Sequence, residues 1–275
     1  MIINCTVLAK EWLAALAQEI TAKGMHPRLG ILLVGDDPGS KKFVARKEKA
    51  GAELGVTVIT ERMSAETDEQ TLLERLRTLS EQSDGVIVQL PLPQQGMMAR
   101  LLDAVPPKKD IDGLSSTSLS NLVRNLPGFV PATVRGILYL LKTQKVPLKG
   151  ARVAVLGAGQ LVGRPAALAL LNRGATLQII DKHEHDAPAL LRQADIILVA
   201  TGIPGSLGSD AVKQGALVLD AGFSVVNGAI SGDADTHALD LLGARVTPVP
   251  GGLGALTVAG LYANLLDALR LDKDK

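Results

Sequence analysis

Short apolar runs alternate with longer amphipathic segments along most of the chain. The runs are rich in Val, Ile and Leu and are continuously apolar, which is typical of parallel strands that helices cover on both faces. They predict strands at residues 29–34, 56–60, 85–89, 152–156, 176–180, 196–200, 217–220 and 245–247. Because helical segments separate these strands, we expect an α/β fold with doubly wound parallel sheets.

The strand pattern stops between residues 112 and 150, where two helical segments and then Pro147 occur. A chain of 275 residues exceeds the usual domain size of roughly 100–200 residues, so we expect two domains with a cleft between them. We place the first domain at residues 1–118 and the second at 119–253. The C-terminal helix, 254–275, follows a Pro- and Gly-rich segment, and we expect it to return and complete the first domain.

Composition and charge exclude several classes of protein. The 29 Lys and Arg residues nearly balance 28 Asp and Glu residues, which argues against a nucleic-acid partner because phosphate binding needs a basic excess. No apolar run reaches the roughly 18 residues of a membrane span, and the N-terminus lacks a signal-peptide pattern. Cys5 is the single cysteine, so no intrachain disulfide forms. We expect a cytoplasmic protein that binds a small molecule, with no nucleic-acid or membrane partner.

Asn227 and Gly228 stand between two short β-forming runs, 224–226 and 229–231. An Asn-Gly pair in this setting is a strong signal for a β-hairpin. A hairpin that projects from a sheet edge often pairs with a symmetry-related copy, so the sequence predicts a homodimer.

A glycine-rich turn, 157–163, follows the strand predicted at 152–156 and precedes a helical segment. Gly157 permits a tight turn, Gly159 lets the backbone approach a pyrophosphate, and the helix N-terminus offers unpaired N–H groups. The spacing, Gly-x-Gly-x-x-x-Gly, is one residue longer than the usual fingerprint, and a simple tight turn is the alternative. The order of strand, turn and helix favours a Rossmann-type domain that binds a dinucleotide.

Asp181 ends the next predicted strand, where an acidic partner of the glycine turn is expected. A carboxylate there accepts hydrogen bonds from the adenosine ribose and repels a 2′-phosphate, so NAD is favoured over NADP. The neighbouring Lys182 leaves room for a phosphate. An ordinary solvated Asp at a strand end is the other interpretation.

Helical spacing places Lys47 on the apolar stripe of residues 40–54, together with Phe43, Ala50 and Leu54. Two interpretations are open. The stem could pack while the ammonium stays in solvent at the edge of the stripe. Alternatively, the lysine faces a cleft, where partial desolvation lowers its pKa towards a value useful in proton transfer.

Two further segments carry polar groups suited to a ligand. Gln89 ends the strand predicted at 85–89, and the carboxyl ends of parallel strands face the ligand crevice. Asp110 and Asp112 follow in a Lys-Asp-Ile-Asp-Gly segment, although such residues taken alone are more typical of a turn.

Three motifs in this order resemble the methylenetetrahydrofolate dehydrogenase/cyclohydrolase family of one-carbon metabolism. They are Gln-Leu-Pro-Leu-Pro at 89–93, Lys-Asp-Ile-Asp-Gly at 109–113 and Thr-Pro-Val-Pro-Gly-Gly at 247–252. The resemblance implies oxidation of methylenetetrahydrofolate to methenyltetrahydrofolate with hydride transfer to NAD(P), followed by hydrolysis to formyltetrahydrofolate. It also implies a homodimer with folate in the cleft between the domains. The four histidines show no metal-ligand spacing, and we expect no catalytic metal.

The resemblance also assigns roles to individual residues. Lys47 would handle the proton in hydrolysis, Gln89 would lie against it, and Asp112 would anchor the pterin by accepting N–H bonds. The substrate-binding positions would be Phe43, Leu90, Pro91, Gly251 and Gly252. The cofactor-binding positions would be Gly157, Ala158, Gly159, Asp181, Lys182, Thr201, Gly202 and Phe223.

The sequence departs from the family pattern at several of these positions. Phe43 stands where the family usually has Tyr, whose hydroxyl hydrogen-bonds the lysine. Gly159 replaces a serine, Asp181 a histidine, and Val134 and Ala255 each replace a proline. Our hypothesis is that hydride transfer survives, because it needs mainly proximity and orientation, whereas hydrolysis is weakened because it needs proton handling.

Two other functions remain open from the sequence. One is a monofunctional dehydrogenase that acts on folate or on a modified pterin. The other is a catalytically inactive paralogue that only binds a dinucleotide and a pterin. The joint presence of Lys47, Gln89 and Asp112 speaks against the inactive paralogue.

Overall fold

A computed structural model describes residues 1–226 and 228–273, without the side chains of residues 95, 272 and 273. The chain forms two compact units, and each unit is built from two separate segments. One consists of Lys10–Ala132 with Val258–Lys275, and the other of Met1–Ala9 with Thr133–Thr257. We call them the three-stranded unit and the five-stranded unit, after their parallel sheets.

The helices and strands follow the alternation that the sequence predicts. The strands are β1 (Arg28–Val34), β2 (Thr57–Met63), β3 (Gly85–Val88), β4 (Arg152–Leu156), β5 (Thr176–Ile180), β6 (Ile196–Val199), β7 (Leu217–Asp220), β8 (Ser224–Val226), β9 (Ala229–Ser231) and β10 (Arg245–Val246). The helices are α1 (Cys5–Ala22), α2 (Pro38–Leu54), α3 (Glu69–Gln82), α4 (Met98–Ala104), α5 (Ser116–Val123), α6 (Ala132–Thr143), α7 (Gly163–Leu171), α8 (Ala187–Leu191), α9 (Thr236–Leu241) and α10 (Leu253–Lys273). The predicted α/β class is confirmed.

The sheet of the three-stranded unit has the order β2-β1-β3, with parallel pairing throughout. Alternate residues of β1 serve two different cores. Ile31 and Leu33 pack in a cluster that includes Leu261 of α10, whereas Leu32 and Val34 pack in a cluster formed with α3. Because both faces of β1 are buried, its sequence is apolar at consecutive positions.

Helix α2 carries start and stop signals in its sequence. The Asp37 side chain accepts a hydrogen bond from the Ser40 backbone N–H at 2.6 Å, and Pro38 occupies the first turn. Gly55, with φ of 74°, ends the helix in the left-handed conformation. Such caps satisfy the end groups that a helix leaves unpaired, so they fix the segment that carries Lys47.

The sheet of the five-stranded unit has the order β10-β7-β6-β4-β5, again with parallel pairing. The N-terminal segment adds to its edge, because Ile2 bridges Val246 and the Ile3 backbone N–H donates to the Val246 carbonyl at 2.8 Å. Strands β8 and β9 form a separate antiparallel hairpin. Its predicted Asn-Gly turn falls partly on Asn227, which lies outside the described residues.

None of the helices within residues 1–226 and 228–273 combines the length and apolar character that a membrane crossing requires.

Candidate active site

Lys47 and Gln89 form a buried pair in the three-stranded unit. Each side chain is only 7% exposed, and the Lys47 Nζ donates a hydrogen bond to the Gln89 Oε1 at 2.9 Å. The Gln89 Nε2 donates to the Leu90 carbonyl at 2.7 Å, so the amide has a fixed orientation with its oxygen towards the lysine. The ammonium therefore does not reach solvent at the edge of the stripe, and the snorkelling alternative is excluded.

The surroundings of Lys47 and Asp112 change the proton affinity of both. Burial lowers the pKa of Lys47 below its ordinary value of 10.5, and the negative charge of Asp112 partly offsets this effect. Burial raises the pKa of Asp112, which the charge of Lys47 opposes. An amine with a lowered pKa can exist in its neutral form nearer to neutral pH, as proton transfer requires.

The structure separates the two carboxylates of the 109–113 motif. Asp110 is buried and accepts hydrogen bonds from the Gly113 and Ser115 backbone N–H groups, each at 3.0 Å, and from the Ser118 hydroxyl at 2.6 Å. It therefore stabilises the loop. Within the part of the chain that the structure describes, burial and nearby charges act on the half-buried Asp112 carboxylate, but no hydrogen bond reaches it. Its oxygens remain available to a ligand.

Tyr262 of α10 is a neighbour of Lys47 that the sequence analysis missed. Its buried hydroxyl donates a hydrogen bond to the Lys47 backbone carbonyl at 2.5 Å, and the Gly51 backbone contributes a hydrogen bond to the same hydroxyl. A Cβ at Gly51 would lie 2.6 Å from this hydroxyl, so the close approach needs glycine. The contact joins residues 215 positions apart, and nothing in either local pattern signals it.

The three remaining substrate positions of this unit lie next to the pair. Phe43 is half-buried, one helical turn before Lys47, and the Arg46 guanidinium carbon lies 5.8 Å from the centre of its ring. The Leu90 carbonyl also accepts a bond from the Ser40 hydroxyl at 3.4 Å. Pro91 is exposed and follows a cis peptide bond.

The glycine-rich turn of the five-stranded unit is tightly packed on one side and open on the other. A Cβ at Gly157 would lie 2.5 Å from the Ala200 carbonyl oxygen, and a Cβ at Gly163 would lie 2.0 Å from the Gly157 carbonyl oxygen. A Cβ at Gly159 would meet no atom within 4 Å. The residue before α7, Val162, supplies no side-chain cap. These features fit a pyrophosphate on the N–H groups of the turn and of α7.

The other predicted cofactor positions follow the carboxyl ends of strands β4, β5, β6 and β7. Asp181 and Lys182 are exposed after β5, and the Asp181 Oδ1 accepts a hydrogen bond from the His183 backbone N–H at 2.8 Å. Thr201 and Gly202 follow β6. Ala158 is half-buried and Phe223 is exposed.

Gly251 and Gly252 also belong to the five-stranded unit, whereas the other predicted substrate positions belong to the three-stranded unit. Gly251 has φ of 94°, and its carbonyl accepts a hydrogen bond from the Thr6 hydroxyl at 3.3 Å. A Cβ at Gly252 would lie 2.1 Å from the Pro248 carbonyl oxygen. Both positions therefore require glycine.

No group of three or more His, Cys, Asp or Glu side chains is arranged to hold a metal ion within residues 1–226 and 228–273.

Two family models match the chain. The catalytic domain of tetrahydrofolate dehydrogenase/cyclohydrolase matches residues 3–112, and the NAD(P)-binding domain of the same enzymes matches residues 131–273. The Bifunctional protein FolD of Polynucleobacter asymbioticus is 39% identical over 259 residues, which are 93% of this chain and 91% of the relative. The protein of the same name from Methanospirillum hungatei JF-1 is 38% identical over 272 residues, 98% of each chain.

Solved structures agree with these sequence matches. The bifunctional FolD methylenetetrahydrofolate dehydrogenase/cyclohydrolase of Campylobacter jejuni has a TM-score of 0.94 and 33% identity, covering 99% of both chains. The Trypanosoma brucei FolD, solved with NADP and an inhibitor, has a TM-score of 0.92 and 30% identity, covering 100% of this chain and 99% of its own.

Proposed function

The chain belongs to the tetrahydrofolate dehydrogenase/cyclohydrolase family, and from this membership we propose its reactions. It oxidises methylenetetrahydrofolate to methenyltetrahydrofolate with NAD(P)⁺ and then hydrolyses the product to formyltetrahydrofolate, in one-carbon metabolism. The observation that carries this proposal is the buried Lys47 amine on the Gln89 amide oxygen, because a folate dehydrogenase without hydrolysis has no need of a desolvated base.

Asp112 would bind the pterin, because its carboxylate has no competing hydrogen bond within the described residues. It would accept N–H bonds from the pterin amino group and ring, and these bonds are strong because the acceptor is charged. The backbone at Gly251 and Gly252 would contribute to folate binding, as would Leu90 and Pro91. We propose residues 1–118, completed by the C-terminal helix 254–275, as the folate-binding domain; the three-stranded unit contains most of these residues but not residues 1–9.

When bound, the nicotinamide ring supplies the hydride acceptor. Gly157, Ala158 and Gly159, with the first N–H groups of α7, would hold the pyrophosphate, while Thr201, Gly202 and Phe223 would line the remainder of the site. We propose NAD over NADP. In support, the exposed Asp181 places a negative charge after β5, where it would repel a 2′-phosphate.

In the hydrolytic step, water adds to the methenyl carbon, and neutral Lys47 would accept one of its protons, which leaves a hydroxyl group on that carbon. One carbon–nitrogen bond then breaks as the formyl C=O forms. The Lys47 ammonium would donate its proton to the released nitrogen, while the hydroxyl proton leaves to solvent. The Gln89 oxygen orients the lysine throughout. Because Phe43 offers the lysine no hydroxyl, we propose that hydrolysis is weakened while hydride transfer survives.

We also propose a homodimer and a cytoplasmic location. The β8–β9 hairpin supports the homodimer, since Val225 is 63% exposed and an exposed apolar hairpin favours pairing with a second copy. Replacing Val225 with lysine should then yield monomers in sedimentation experiments, whereas an unchanged dimer would contradict this interface. The free Cys5 thiol suits the reducing cytoplasm.

Two spectrophotometric assays on purified protein test the proposal. The first follows reduced nicotinamide from methylenetetrahydrofolate with NAD or NADP, and the second follows the loss of methenyltetrahydrofolate without a dinucleotide. Lys47→Gln should abolish hydrolysis, whereas Lys49→Gln, an exposed lysine of the same helix, should not. Dehydrogenation without hydrolysis would identify a monofunctional dehydrogenase. No reduced nicotinamide with either dinucleotide would identify a binding protein.

A further inference from the structure

Asp233 is a fully buried carboxylate of the five-stranded unit, with 0% exposure. Its Oδ2 accepts hydrogen bonds from the Thr201 backbone N–H at 2.6 Å, from the Gly202 backbone N–H at 2.8 Å and from the Thr201 hydroxyl at 2.9 Å. One carboxylate oxygen therefore accepts hydrogen bonds from three donors of the loop that follows β6. Hydrogen bonds to a charged acceptor are roughly twice as strong as neutral ones, so this contact fixes the loop.

A second buried carboxylate holds Asp233 in place. Asp220 ends β7, and its Oδ1 accepts from the Asp233 backbone N–H at 3.2 Å, while its Oδ2 accepts from the Ala234 backbone N–H at 2.9 Å. A Cβ at Gly222 would lie 2.2 Å from the Asp233 Oδ1. Asp220, at the end of β7, therefore holds Asp233, and Asp233 in turn holds the loop that follows β6.

This arrangement is costly for the fold. The Asp233 Oδ1 is buried and has no hydrogen-bond partner within residues 1–226 and 228–273. Burial raises the pKa of Asp220, and the charge of Asp233 adds to this effect. Unsatisfied buried polar groups and neighbouring like charges destabilise a protein, and they concentrate where function requires them.

The loop that Asp233 holds lies beside the glycine-rich turn. Strand β6 pairs with β4 in the sheet, and a Cβ at Gly157 would lie 2.5 Å from the Ala200 carbonyl oxygen and 2.9 Å from the Thr201 backbone nitrogen. The turn and the loop are thus adjacent at the carboxyl edge of the sheet, where parallel α/β sheets bind their ligands.

We infer that Asp233 is a positioning residue for the dinucleotide, which fixes Thr201 and Gly202 against the glycine-rich turn and so sets the affinity for NAD(P). The inference rests on the proposed function, in which these two residues line the cofactor site. Asp233 itself contacts the loop and does not need to touch the cofactor. Its loss should therefore weaken dinucleotide binding and leave the cofactor-independent reaction intact.

The variant Asp233→Asn tests this role, because it keeps the size of the side chain and one acceptor oxygen but removes the charge. We expect the KM for the dinucleotide to rise about tenfold, with methenyltetrahydrofolate hydrolysis within about twofold of the parent chain. Asp235→Asn is the matched control. It makes the same change at an exposed cap of α9 and should alter neither reaction.

Gly222→Ala is the second variant, and it decides the question if Asp233→Asn does not fold. It keeps the Asp233 charge but displaces the carboxylate, and it should also raise the dinucleotide KM selectively. An unchanged KM in a folded variant would overturn the inference, as would an equal loss of both reactions. Failure of the proposed function is distinct, because the unmutated chain would then reduce neither NAD nor NADP.

Discussion

Replacing Phe43 with tyrosine should strengthen hydrolysis and leave dehydrogenation nearly unchanged. Phe43 and Lys47 are four residues apart in α2, where Cβ atoms on one helix face are about 5–6 Å apart. The lysine ammonium has three N–H donors, and its side chain uses one of them on the Gln89 Oε1 at 2.9 Å. A tyrosine hydroxyl would give this buried amine a second hydrogen-bond partner.

The size of the effect follows from the strength of that bond. A hydrogen bond to a charged group contributes about 1.5–3 kcal/mol, and each 1.36 kcal/mol of barrier corresponds to about tenfold in rate. Phe43 is only half-buried, so water competes for the new hydroxyl and the lower limit applies. We therefore expect hydrolysis by Phe43→Tyr to be about tenfold faster in kcat.

The assay is the loss of methenyltetrahydrofolate in the absence of a dinucleotide. Dehydrogenation by the same preparation is the internal control and should change by less than about twofold, since it depends on orientation and not on proton transfer. If the hydroxyl acts through the lysine, adding Phe43→Tyr to Lys47→Gln should give no gain. Equal hydrolysis by the parent chain and by Phe43→Tyr would refute the reasoning.

Three other substitutions test the contacts around Lys47. Gln89→Leu removes the hydrogen-bond partner of the buried amine and should lower kcat for hydrolysis at least tenfold; a rate equal to the parent would show that this bond is dispensable. Asp112→Asn withdraws the charge that favours the ammonium, so the pKa of Lys47 falls, and the rise of hydrolytic kcat with pH at saturating folate should move to lower pH; a move to higher pH would contradict the assigned interaction. Gly51→Ala places a methyl group 2.6 Å from the Tyr262 hydroxyl and should lower the free energy of unfolding in urea by about 1–3 kcal/mol. Adding Tyr262→Phe should partly relieve this loss. An unaltered urea midpoint for Gly51→Ala would show that α2 and α10 can move apart without a loss of stability.

Strands such as β1 could be predicted because both of their faces are buried, which requires apolar residues at consecutive positions. In β1, Ile31 and Leu32 enter different cores, so an uninterrupted apolar run reports a strand buried on both faces. Helices α8 and α9 have five and six residues, which is too short for a helical period to stand out. Their existence depends on the caps Asp186 and Asp235 and on packing.

The candidate site could be predicted only in part, for a different reason. The position of Lys47 on an apolar stripe is a local property, and the sequence shows it. The motif at 109–113 does not show that Asp110 stabilises the loop while Asp112 is available to a ligand. This difference arises because the backbone and side-chain donors of residues 113–118 reach Asp110. Tyr262 and Asp233 were missed, since their roles depend on contacts with chain segments that are distant in sequence.

The bond between Tyr262 and the Lys47 carbonyl has a consequence for biosynthesis. A ribosome delivers α2 before α10, and the three-stranded unit contains α2 together with α10 from Val258 onwards. The three-stranded unit is therefore complete only after its C-terminal segment has been synthesised, whereas residues 133–257 form the other unit together with Met1–Ala9. Severing the gene between the codons for Ala132 and Thr133 would yield two products, each lacking a piece that only the other half encodes.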